Sequence, residues 1–127
     1  MNARGRSTSP RMMTLLVMLV TVSMADHATA RTGEVGVATF YSDKFEGKRT
    51  ASGDIYRKNE LTAAHKKLPF GTKVKVRNVA NGKSVVVTIN DRMAASTTAV
   101  IDVTRHAAEE LGFVRAGKAK VRLEVQK

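Results

Sequence analysis

The sequence contains no cysteine. That absence excludes disulfide staples, thiolate metal centres, a cysteine nucleophile and a lipidated N-terminal cysteine together, so packing and hydrogen bonds must hold the fold. Aromatic residues make up only 5% of the chain, which leaves few platforms for stacking the bases of a nucleic-acid strand. Acidic residues are also scarce, 11 against 22 Lys and Arg for a formal charge of +11, and this surplus favours an anionic partner. At 127 residues the chain suits one domain and is too short for two separate cores. Its hydrophobic share of 43% and charged share of 26% are those of a folded globular protein rather than a disordered one.

No apolar run is long enough for a membrane span, which needs roughly 20 residues. The longest, Met12 to Met24, is interrupted by Thr14, Thr21 and Ser23. Arg4, Arg6 and Arg11 precede it and Ala28-Thr29-Ala30 follows it. This order of basic, apolar and small residues predicts a secretory signal over residues 1–30 with cleavage after Ala30, an uncleaved N-terminal anchor being the alternative. Cleavage removes three of the 22 basic residues and one of the 11 acidic ones, leaving a net charge of +9. The expected product is an exported protein of the periplasm or cell envelope with no stable membrane anchor after cleavage. Export and the low aromatic share argue against nucleic acid, so the anionic partner is expected among envelope components.

Residues 31–127 read as one domain built mostly of short strands. Val35, Val37, Thr39 and Tyr41 alternate, as do charge and valine in Lys73-Val74-Lys75-Val76-Arg77, the period of a half-buried strand. Asn81-Gly82 signals a hairpin, with Ser84 to Ile89 returning and Val85-Val86-Val87 suggesting burial on both faces. In the last strand Ala119, Val121, Leu123 and Val125 are expected inward. One helix interrupts the strands: Thr104 caps it, Ala107, Ala108 and Leu111 form its apolar stripe, and Gly112 ends it. The fold class is all-β with one short helix, a barrel whose interior includes Val74, Val76, Val86, Val121 and Leu123.

Two turn-rich stretches, 41–62 and 90–99, carry the polar residues suited to chemistry. On their own, Asp54 and Asp91 are compatible with turn or capping roles and His65 with a surface strand. The order of motifs says more. Gly36-Val37-Ala38-Thr39-Phe40-Tyr41, Thr50-Ala51-Ser52-Gly53, Leu61-Thr62-Ala63-Ala64-His65-Lys66-Lys67-Leu68-Pro69-Phe70-Gly71-Thr72, Val76-Arg77-Asn78 with Asn81-Gly82, Asn90-Asp91-Arg92 and Ile101-Asp102-Val103-Thr104 together resemble the rare lipoprotein A-like proteins. The resemblance implies a six-stranded double-psi β-barrel and a lytic transglycosylase of the septal ring family acting on peptidoglycan glycan strands. Its alternative is a non-catalytic glycan-binding or wall-loosening barrel similar to expansins. It places the catalytic residues at Asp91, His65 and Asp54. The chain departs from the family pattern twice, with Asp54 in place of Glu and Met93-Ala94-Ala95-Ser96-Thr97-Thr98 in place of a Gly-Pro turn.

A lytic transglycosylase needs one group that serves first as acid and then as base, because the muramic acid's own 6-hydroxyl attacks its anomeric carbon. Asp91 is the candidate, expected against an apolar wall that would let it hold a proton. His65 is expected to bond sugar or Asp91, and Asp54 to orient substrate hydroxyls or His65. Arg92 is a candidate substrate-binding residue, and Tyr41 and Tyr56 stand either as sugar-stacking platforms or as core. Asp102 reads as a structural residue bonded to backbone near the helix start. No metal site and no cofactor are expected, since His65 and His106 lack a ligand spacing that would pair them. No protein partner is indicated.

Overall fold

A computed structural model describes residues 33–127; the expected signal and its cleavage point lie outside the described residues. In chain order the elements are β1 (Val35–Phe40), a 3-10 turn (Asp43–Phe45), β2 (Thr62–His65), β3 (Lys73–Asn78), β4 (Ser84–Arg92), β5 (Ile101–Val103), α1 (Arg105–Leu111) and β6 (Ala119–Val125). The six strands close into a barrel in the order β1-β5-β2-β4-β3-β6, as a double-psi barrel requires. Two neighbouring pairs, β1 with β5 and β2 with β4, are parallel, and the rest are antiparallel.

The interior follows from period-two alternation. Val74 and Val76 of β3, Val85, Val87 and Ile89 of β4, and Val121 and Leu123 of β6 are buried, as are Ile101 and Val103 of β5. Full burial of one such side chain contributes about 1.5–3 kcal/mol. Three expectations fail: Val125, expected inward at the end of β6, is 53% exposed, and two more fail in an instructive way. Val86 is 42% exposed, because from Ser84 to Ile89 β4 alternates like its partner β3 and its middle valine points to water. In β1 it is Ala38 and Phe40 that meet the core, while Val35 and Val37 lie outside. The valines mark strands correctly, but β-propensity does not say which face is wet.

The hairpin after β3 forms, with Asn78 and Lys83 bonded backbone to backbone and Gly82 at positive φ. Helix α1 closes one side of the core through Ala107, Ala108 and Leu111. Thr104 caps it by accepting from the Ala107 N–H, and Gly112 ends it at φ 80, a conformation open to residues without a Cβ. Phe113, just beyond, packs edge-on against Phe40.

Candidate active site

Because Ala38 and Phe40 face inward, Thr39 and the following Tyr41 face the outside of the barrel wall. The same parity turns Asp102 outward between Ile101 and Val103. Thr39 pairs with Asp102, Asp102 with Ala64, and Ala64 with Asp91. One row across β1, β5, β2 and β4 thus reads threonine, carboxylate, alanine, carboxylate. A bulge secures its last member: Ala63 pairs with Ile89 but Ala64 with Asp91, leaving Asn90 as the extra residue. Without the bulge, Asn90 would occupy the rung opposite Ala64. Asp91 therefore belongs to the end of β4 rather than to the loop expected from residue 90 onward.

The row floors a cleft of about 330 Å³, lined also by Tyr41, Phe45, Arg49, Arg92, Met93 and Thr97. Asp91 does not face an apolar wall, as the sequence suggested. It accepts from the Tyr41 hydroxyl at 2.6 Å on Oδ2, and from the Ala51 N–H at 2.8 Å and its neighbour's Arg92 N–H at 2.9 Å on Oδ1. Charge-assisted bonds of this kind orient a carboxylate strongly. Burial, and next the bond to Asp91, push the Tyr41 phenol far above its ordinary value, so it stays an O–H donor.

The Ala51 N–H is delivered by a loop that closes on itself. Thr50 N–H bonds the Asp54 carbonyl at 2.7 Å, Gly53 returns to the Thr50 carbonyl at 3.0 Å, and Ser52 N–H docks on the Asn90 carbonyl. Gly53 sits at φ 98, which a side chain would strain. The Thr50-Ala51-Ser52-Gly53 motif is thus a device for aiming one N–H at one carboxylate. Asp54, at the loop's end, is exposed and accepts from the Asn90 amide at 3.3 Å; it orients Asn90 rather than His65.

His65 occupies the next rung, opposite Arg92, and so turns away from the cleft. It is buried. Its Nδ1 accepts from the Lys67 and Leu68 N–H groups, and its Nε2 lies 3.0 Å from Glu34 Oε1. With Nδ1 used as acceptor, the proton of the neutral ring belongs on Nε2, which donates to Glu34. No hydrogen bond joins His65 to Asp91 among the described residues. Arg92 donates to the His65 and Leu68 carbonyls and stacks 4.5 Å from the Phe70 ring centre, so its charge ties down the loop after β2 and only borders the cleft.

Of the two tyrosines, Tyr56 is 2% exposed and stacks under Tyr41 at 4.4 Å. Its hydroxyl accepts from the Arg105 N–H. The core reading therefore holds for Tyr56, which supports Tyr41 and offers no face to a sugar. Asp102 reverses the other way. The helix start is capped by Thr104, while Asp102 Oδ1 accepts from the Thr39 hydroxyl at 2.9 Å and borders the cleft. Burial pushes its carboxyl up, the Thr39 bond opposes this, and the Asp91 charge adds to the upward push. The available signal was parity: a carboxylate between two core residues of a strand must face the other side.

The chain resembles known proteins. Residues 33–123 match the family described as lytic transglycolase. The chain is 50% identical over 94 residues to the endolytic peptidoglycan transglycosylase RlpA of Rickettsia bellii, covering 72% of this chain and 41% of that protein. It is 45% identical over 91 residues to the protein of the same name from Neisseria meningitidis, covering 72% and 38%. The chain thus spans less than half the length of these relatives. Among solved structures, Streptomyces papain inhibitor matches with a TM-score of 0.59 at 20% identity, covering 76% of this chain and 97% of that one. A Clavibacter michiganensis expansin complexed with cellohexaose matches at 0.57 and 18%, covering 73% and 50%; at such identities the likeness concerns the barrel alone. The match across nearly all described residues, together with the two close relatives, shows that the chain belongs to the lytic transglycolase family.

Proposed function

We propose that this domain is an endolytic peptidoglycan lytic transglycosylase, cleaving the β-1,4 bond between N-acetylmuramic acid and N-acetylglucosamine and leaving a 1,6-anhydro-muramic end during cell-wall remodelling. The observation that carries this reading is the Asp91 carboxylate, fixed by three donors on the floor of a cleft that the barrel wall, the Thr50–Asp54 loop and Tyr41 build together. The two relatives' names point to the same substrate. A carboxylate fixed beside the reacting carbon stabilises the positive charge that develops there in a glycosidic transition state. The peptidoglycan strand is the proposed partner; no cofactor is invoked.

Residues 1–30 are proposed to act as the export signal, which places the barrel outside the cytoplasmic membrane. N-terminal sequencing of the secreted protein should begin at Arg31, and an intact Met1 retained in the membrane would contradict it. The activity is tested by incubating the protein with purified peptidoglycan and weighing the released sugars. Anhydro-muropeptides support the enzyme. A second reading, a glycan-binding barrel without turnover, is favoured by the segment after Arg92: Met93 to Thr98 is held by two backbone bonds, Met93 N–H to His65 and Thr97 N–H to Ala94. It predicts retention on insoluble peptidoglycan with no soluble product.

A further inference from the structure

We propose that Asp102, rather than Asp91, is the residue that carries the proton in this reaction, as general acid toward the glycosidic oxygen and then as base toward the 6-hydroxyl. The inference rests on the transglycosylase reading above and divides its chemistry between two carboxylates.

The division follows from what each carboxylate touches. Asp91 accepts from three donors spread over both oxygens, so neither oxygen lacks a partner. Among the described residues Asp102 has a single side-chain partner, the Thr39 hydroxyl on Oδ1, and its Oδ2 has none at the cleft it borders. It lies two strands from Asp91, with Ala64 on the rung between them and Tyr41 packed against Ala64. At about 4.8 Å per strand spacing the two backbones are on the order of 10 Å apart, enough for a sugar to sit with its reacting carbon by one carboxylate and its leaving oxygen by the other. Burial and the facing Asp91 charge push the Asp102 carboxyl in the direction a proton donor needs.

The step balances without an outside reactant. Asp102 gives its proton to the bridging oxygen as the bond from the muramic C1 to that oxygen breaks, releasing a free 4-hydroxyl on the next sugar. Asp91 faces the positive charge growing at C1. The 6-hydroxyl oxygen then bonds to C1, its proton returns to Asp102, and no water is consumed.

The remaining titratable groups around Asp102 are Asp91 on β4, Tyr41 after β1, Tyr56 beneath it, and Arg49 and Arg92 on the cleft's edge. Both tyrosines are pushed upward, chiefly by burial, and arginine stays charged. A donor that must hold its proton makes activity fall as pH rises through its pKa. Thr39 touches Asp102 and has no bond to Asp91, so Thr39→Val removes a bond that favours the charged Asp102 and should move that alkaline limb to higher pH.

The test uses the full chain and purified peptidoglycan. Asp102→Asn should lower anhydro-muropeptide release by roughly 10²-fold or more, the scale of a positioned proton donor, while binding to the insoluble polymer persists. Thr39→Val should stay active with its alkaline limb displaced upward, a readout that a purely structural role for Asp102 would not move and that remains should Asp102→Asn fail to fold. An Asp102→Asn protein as active as wild type, or a Thr39→Val profile that coincides with wild type, overturns the assignment and leaves the transglycosylase reading standing. A wild type that yields no anhydro product removes that reading and this inference with it.

Discussion

Two adjacent rungs of the same parallel strand pair, Ala64 opposite Asp91 and His65 opposite Arg92, end up with unlike work. The first faces out of the barrel and joins Thr39 and Asp102 in the cleft. The second turns the other way, and its polar groups are spent on the chain itself: the His65 ring on Glu34 and two backbone N–H groups, the Arg92 guanidinium on two carbonyls and Phe70. Adjacency in sequence says nothing of shared chemistry in a strand, where one residue's step reverses the side. The family resemblance names Asp91 and His65 together. Their geometry separates a carboxylate that lines the cleft from a ring that holds a loop in place.

Substitutions can break or sharpen that contrast. The largest effect is expected from Asp91→Asn, which keeps the side chain's shape and removes its charge: anhydro product should fall by roughly 10²-fold or more, the size of losing a transition-state electrostatic partner, with the thermal midpoint little changed. Tyr41→Phe deletes only the 2.6 Å donor. A bond to a charged group is worth about 1.5–3 kcal/mol, so steady-state turnover should drop by about tenfold if a share of it reaches the transition state. Asp54→Asn can still accept from Asn90, and its effect should be a few-fold, measured as kcat on soluble glycan strands; a loss equal to that of Asp91→Asn would place Asp54 on the substrate. Smallest in rate should be His65→Ala. Denaturant melts should show about 1–3 kcal/mol lost, as the bonds to the Lys67 and Leu68 N–H groups and to Glu34 disappear, whereas turnover per folded molecule should stay near wild type. A His65→Ala protein of native stability and no activity would return the histidine to the chemistry.

The barrel and helix were legible because their signals are local. Alternating Val74 and Val76, the Asn81-Gly82 turn and the Thr104 to Gly112 caps act within a few residues. Strands β2 and β5, four and three residues long, were too short to show a period and emerged through the family resemblance. The site was legible as a set of names and not as an arrangement. Nothing near Tyr41 announces a bond to a residue fifty positions away, and the bulge at Asn90 that sets Asp91's direction exists in the pairing of two strands, not in either one. Val86 was misread, and Tyr56 stayed open between platform and core, for the same reason: burial depends on which face the neighbours cover. Asp102 was readable in principle, since Ile101 and Val103 already told which way it must point.

On the proposed mechanism, the outward row of β1, β5, β2 and β4 cleaves glycan by internal attack and not with water. Digestion of purified peptidoglycan in heavy-oxygen water tests it most directly, because a hydrolase must leave a labelled oxygen on the new muramic C1. The account predicts muramic ends that carry no label and weigh one water less than a reducing end, and their loss in Asp91→Asn. Labelled reducing ends, formed by the wild type and abolished by Asp91→Asn, would contradict it and make the cleft that of a hydrolase.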